Sequence, residues 1–102
     1  MSKIDRIEEL QNILKNNKTN FQARREFAVL LLECNYSEEA LQHFLYLSQI
    51  FSDDSAIFYN IGITYEKLKD LNKAEKAYLK AIELSPDEID AYYNLGLVYI
   101  DK

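Results

Sequence analysis

Phe58-Tyr59-Asn60-Ile61-Gly62-Ile63-Thr64-Tyr65 returns 34 residues later as Tyr92-Tyr93-Asn94-Leu95-Gly96-Leu97-Val98-Tyr99. One period upstream stands Arg24-Arg25-Glu26-Phe27-Ala28-Val29-Leu30-Leu31, with Ala28 in the glycine place and Leu31 in the tyrosine place. The second half of the period also repeats. Ala40, Phe44, Leu47 and Ile50 are followed at the same spacing by Ala74, Tyr78, Ala81 and Leu84. A fixed period of this length is the signature of a stacked repeat array and outranks any local propensity.

Outward from that stretch, apolar residues recur at helical spacing. Six helices are expected, over residues 3–16, 21–34, 38–51, from the Ser52–Ser55 loop to 68, 73–84, and from the Ser85–Glu88 start signal to the end. Their starts carry capping signals: Thr19 with Gln22, Ser37, the acids Asp53 and Asp54, and Ser85 with Pro86 in the first turn. Only two glycines and one proline interrupt 102 residues, which favours helices joined by short turns. Gly62, Ala28, Ala40, Ala74 and Ala81 leave room where helices cross, since small residues let axes approach to about 8–10 Å. Phe44 and Tyr78 fill the space against the next pair. One helix pair cannot bury both of its apolar faces, so stability comes from stacking.

Composition narrows the function. Lys and Arg total 12 against 17 Asp and Glu, a net charge of −5. Nucleic-acid affinity rests on phosphate neutralisation, so no nucleic-acid partner is expected. No stretch reaches the roughly 18 apolar residues of a membrane span, and the start lacks a signal-peptide core. A cytoplasmic location without membrane association is expected. Cys34 is the single cysteine and His43 the single histidine, which leaves no disulfide, cysteine cluster or histidine pair. No nucleophile–base arrangement or phosphate loop can be read from spacing. The acids Glu38-Glu39, Asp53-Asp54 and Asp87-Glu88 fall at helix starts, where they offset the helix dipole. No catalytic residue, cofactor or metal is therefore expected.

The chain resembles the tetratricopeptide repeat family. Segment 55–88 carries the family pattern as Phe58, Ile61, Gly62, Tyr65, Ala74, Tyr78, Ala81 and Pro86. Segment 21–54 is a weaker copy, with Arg24 for the aromatic, Leu31 for Tyr, Leu47 for Ala and Ser52 for Pro. The resemblance implies an all-α, right-handed superhelical solenoid of antiparallel helix pairs. Residues 1–20 would be a diverged capping helix, 21–54 the first repeat, 55–88 the second, and 89–102 the first helix of an incomplete third.

In this family the first helix of each pair lines the concave side, where peptides dock. Carried over by position, the groove would include Arg25, Val29, Tyr59, Asn60, Ile63, Tyr93, Asn94 and Leu97, with Gln22, Glu26, Leu32, Glu33, Ala56, Glu66, Lys67, Asp90 and Ile100 beside them. The implied function is a non-catalytic scaffold that binds a peptide or partner segment. Some co-chaperones of the family clamp a C-terminal carboxylate with two Lys, two Asn and an Arg. Here those places hold Arg25, Val29, Asn60, Asp90 and Asn94, so a carboxylate would meet an acid, and that clamp is excluded. The alternative function is self-assembly through an open repeat edge. Tyr92, Leu95, Val98 and Tyr99 are expected to form a bare apolar stripe there, covered by the next helix of a longer array or by a second copy.

Overall fold

The computed structural model describes residues 2–102 and is all α-helix apart from its loops. The helices are α1 (Lys3–Asn16), α2 (Phe21–Glu33), α3 (Ser37–Ile50), α4 (Ser55–Lys67), α5 (Leu71–Leu84) and α6 (Ile89–Asp101). α1, α3 and α5 begin at residues 3, 37 and 71, and α2, α4 and α6 at 21, 55 and 89, so both sets keep the 34-residue period of the sequence. Four-residue and three-residue loops alternate between them. Such short connections force neighbours to pack side by side. The result is an elongated all-α solenoid, 41 × 25 × 20 Å.

Burial follows the repeat. Ala28, Ala40, Ala74 and Ala81 are wholly buried at the crossings, and Leu10, Phe44 and Tyr78 occupy one repeat position on the alternate helices α1, α3 and α5, all buried. One core cluster runs from Leu10 to Ile61 and Ala77, and a second joins Ala74, Tyr78 and Ala81 of α5 to Ala91, Leu95 and Val98 of α6. Phe58, Ile63 and Tyr65 of α4 touch both, so the core is continuous along the stack.

Local chemistry sets the helix ends, partly by residues other than those expected. Ser2 and Asp5 form a capping box, with Ser2 Oγ accepting from the Asp5 N–H at 3.1 Å. α2 is capped by Asn20, whose Oδ1 accepts from the Ala23 N–H at 3.0 Å, and not by Thr19, whose hydroxyl donates to Asn17 Oδ1. Asp54 and Asp70 cap α4 and α5 in the same way, so α5 begins two residues earlier than expected. Ser37 lies inside α3, and Ser85 closes α5, its N–H donating back to the Ala81 carbonyl at 2.9 Å. Pro86 consequently sits in the turn before α6 and not in its first turn.

α2 and α4 both end in a Schellman motif. The Tyr36 N–H donates to the Leu31 carbonyl and the Asn35 N–H to that of Leu32, at 2.8 and 3.0 Å. Asp70 and Lys69 repeat this on Tyr65 and Glu66, at 2.9 and 3.0 Å. The left-handed residues are Asn35 (φ 67°) and Lys69 (φ 65°), again one period apart.

Candidate functional site

The expected groove residues lie on α2, α4 and α6, and the structure divides them into three groups. Arg25, Val29 and Asn60 share a cleft of about 460 Å³ between α2 and α4. Leu30, Phe44 and Ile57 give it an apolar lining, while Gln22, Glu26 and Glu33 supply polar groups. Helical spacing produces this arrangement. Gln22, Arg25, Glu26, Val29 and Glu33 lie three or four residues apart and so share one face of α2.

The charged groups of the cleft are already held. Arg25 pairs with Asp54, the cap of α4, and its guanidinium lies over the Phe51 ring at 5.4 Å. This contact ties α2 to the N-terminal cap of α4. Glu26 receives a bidentate pair of bonds from Arg6, both at 2.8 Å, and this partner holds its carboxyl below the usual carboxylate range. Glu33 pairs with Lys3 at 3.2 Å. Lys67 donates to the Leu32 carbonyl at 3.2 Å, where a cation suits the C-terminal end of the α2 dipole.

The second group is Tyr59, Ile63 and Asn94. Asn94 Nδ2 donates to the Tyr59 hydroxyl at 3.1 Å, linking α4 to α6. The Tyr59 ring packs on Tyr78 with centroids 6.0 Å apart. Burial, then the nearby Asp90 carboxylate, pushes the Tyr59 phenol upward, so it stays neutral at physiological pH. Ile63 packs into both core clusters and offers a peptide only part of its surface. The third group is Tyr93 and Leu97 on α6, 66% and 39% exposed. These two are the accessible apolar anchors of the face, outside the α2–α4 cleft.

Several positions differ from expectation. Leu32 is a core residue, 6% exposed, and lines no groove. Leu95 and Val98 do not form a bare stripe. They are 8% and 0% exposed because that side of α6 packs on Ala74, Tyr78 and Ala81 of α5. Tyr92 and Tyr99 are half exposed as expected, and the apolar surface beside them comes from Ile89 and Ile100, at 77% and 79%. Ile100 belongs to the face expected for the groove, whereas Ile89 was not singled out, and the repeat pattern held the signal for it. At the same repeat positions α4 has Ser55 and Glu66.

Sequence reasoning also missed the pairing of Arg24 with His43. Arg24 Nη1 donates to His43 Nδ1 at 3.0 Å and Nη2 to the Lys18 carbonyl at 2.9 Å. The guanidinium stacks over Tyr46 at 4.5 Å. Where the second repeat uses Phe58, the first thus uses a cation on an aromatic face.

The tetratricopeptide repeat profile matches residues 55–88, and a second profile of the same repeat matches residues 77–102. Over 74 residues, 72% of its length, the chain is 32% identical to a UDP-N-acetylglucosamine–peptide N-acetylglucosaminyltransferase of Giardia intestinalis, of which this is 5%. Its fold is that of MamA from Desulfovibrio magneticus RS-1, with a TM-score of 0.90 at 24% identity, over 93% of this chain and 54% of that one. It is also similar to YrrB, a tetratricopeptide protein with an unusual peptide-binding site, with a TM-score of 0.81 at 28% identity, over 86% and 45% of the two chains. The chain thus spans about half the length of these solved structures.

Proposed function

This chain is a tetratricopeptide repeat protein, and on that premise we propose that it is a non-catalytic scaffold whose α2–α4–α6 face binds a peptide or partner segment. The observation that carries the reading is the α2–α4 cleft, with Val29, Leu30 and Ile57 between polar walls. A small number of placed polar groups around an apolar floor is the make-up of a recognition site. The bidentate Arg6–Glu26 pair and the Arg25–Asp54 pair hold its charged walls, which lowers the ordering needed on binding. Arg25 already carries a carboxylate, which speaks against a role as a clamp for a C-terminal one. The likeness to YrrB supports peptide binding as the mode. The likeness to the Giardia transferase spans 5% of that enzyme, and we carry none of its chemistry over.

The test is a peptide-library screen followed by affinity measurement on Asn60→Ala/Tyr93→Ala. The double variant removes one cleft group and one exposed anchor, and should stay folded. Aromatic anchors are worth about 2 kcal/mol or more, so selected peptides should bind roughly thirtyfold more weakly or worse. Unchanged affinity would place the site elsewhere.

A second reading, self-association through α6, is favoured by one observation. Beyond its buried side, α6 presents Ile89, Tyr92, Tyr93, Leu97, Tyr99 and Ile100 to solvent, and a helix apolar on nearly every side belongs in an interior. The opposite end of the stack differs, since α1 has Arg6 and Glu9 at the positions of Ala40 and His43. A second copy therefore fits α6 to α6, about a two-fold axis, better than α6 to α1.

A further inference from the structure

The α3–α5 side of the stack holds another cleft, of about 270 Å³, away from the proposed groove. Its floor is Phe58, Ile61 and Tyr65 of α4, seen between the two flanking helices. Leu45 of α3 forms one wall, and Lys73, Lys76 and Lys80 of α5 form the other. Spacings of three and four residues place these lysines on one stripe of the helix.

The lysine stripe is not part of the repeat. The same positions in α3 are Glu39, Gln42 and Tyr46. The stripe also runs against the charge of the protein, which is −5 overall. Across the cleft, residues 40–50 of α3 contain no acid. Lys73 meets only its neighbour Asp70 at 3.9 Å, and Lys80 only Glu83 at 3.4 Å, both surface pairs within one turn. Exposed pairs of this kind hold little energy and exchange readily. Lys76 makes no ion pair among the described residues. Lys73 also lies over the Tyr65 ring at 5.7 Å, which joins the cationic rim to the apolar floor.

We propose that this cleft is a second docking site, for an acidic peptide whose apolar side chains enter the Phe58–Ile61–Tyr65 floor and whose carboxylates meet Lys73, Lys76 and Lys80. From Lys73 to Lys80 the rim runs about 10 Å along the helix, the reach of three or four extended residues. Three cations on an acidic protein are too few for a duplex, whose affinity grows with each phosphate neutralised. An apolar floor gives a phosphate chain nothing, whereas it gives Leu or Phe a place out of water.

The probe is a fluorescein-labelled peptide alternating Asp with Leu and Phe, followed by fluorescence anisotropy. Saturable binding should weaken roughly tenfold or more in Lys73→Glu/Lys76→Glu/Lys80→Glu, and weaken with added NaCl. It should also weaken in Leu45→Glu, and persist in Asn60→Ala/Tyr93→Ala. The lysines and Leu45 are surface residues, and circular dichroism checks that each variant folds. Equal affinity in the lysine variant, loss in the groove variant, or absence of saturable binding would each overturn the proposal. So would preferential binding of a single-stranded oligonucleotide over the peptide. Failure at the lysine rim leaves the α2–α4 groove standing, because the two sites share no residue.

Discussion

Gly62 and Gly96 hold the same repeat position in opposite circumstances. A Cβ on Gly62 would lie 2.5–2.8 Å from three ring atoms of Tyr78. That ring has nowhere to go, because Tyr78 is wholly buried and its hydroxyl donates to Glu66. The partner of the Gly62 notch is thus Tyr78. A Cβ on Gly96 would meet nothing within 4 Å. Gly62→Ala should therefore destabilise by about 1–3 kcal/mol through overpacking. Gly96→Ala should stabilise by up to about 1 kcal/mol, since alanine is the better helix former. Urea melts of the two variants check this, and shifts of the same sign would contradict it. His43 provides a second test at this scale. Burial, then the neighbouring Arg24 charge, lowers its pKa from the usual value. The unfolded chain then binds the proton more readily, so this contribution to stability is complete above pH about 6.5 and is lost as pH falls through the folded pKa. Denaturant midpoints should drop between pH 7 and 5, and His43→Gln should flatten that window. An unchanged slope in the variant would remove His43 as the cause.

Element boundaries were set by competition among neighbouring polar groups. Thr19, Ser37 and Ser85 have the right chemistry for N-caps and cap no helix start, while Asn20 caps α2, the expected acid Asp54 caps α4, and Asp70 caps α5. The choice depends on which side chain is free and which backbone N–H it can reach. Thr19 is spent on Asn17, and the Schellman turn at Asn35 delivers the chain so sharply that α3 starts at Ser37 itself. That turn requires a left-handed residue, and an L side chain there costs about 1–2 kcal/mol. Asparagine is tolerated at residue 35, but Lys69 at φ 65° has no such compensation. Lys69→Gly should raise stability by about 1 kcal/mol, despite the greater entropy of the unfolded glycine. For a domain of this size that is a few degrees in Tm, readable by thermal circular dichroism. A lower Tm would mean that the flexibility gained in the unfolded state outweighs the relieved strain.

At the scale of the molecule the two ends are unequal. α1 carries charged side chains bound to α2, and α6 leaves an apolar and aromatic surface exposed. Six large side chains between 39% and 79% exposed amount to several hundred Å², near the roughly 800 Å² each partner gives to a standard interface. Light scattering against concentration should show a dimer. Tyr92→Lys/Tyr99→Lys, which alters exposed residues alone, should return it to a monomer. A monomer at all concentrations would leave the face without a role in self-association.

The 34-residue period by itself determined the number of helices, their order and the position of most of the core. It could do so because each repeat meets only its neighbours, and residues such as Ala40, Phe44, Ala74 and Tyr78 stand in the same surroundings one repeat later. The resemblance to the tetratricopeptide family, and not the period, implied the face that carries Arg25, Val29, Asn60 and Tyr93. Only the tertiary structure decided which members of that face are free. Arg25 is engaged by Asp54, and Tyr59 by Asn94 and Tyr78, while Leu32, Leu95 and Val98 turn inward. These contacts join residues about one period apart, such as Arg25 with Asp54 and Tyr59 with Asn94, so their partners depend on how successive repeats stack. The lysine-rimmed cleft was hidden for the same reason. Its floor lies on α4 and its walls on α3 and α5, and periodicity treats each of these helices separately.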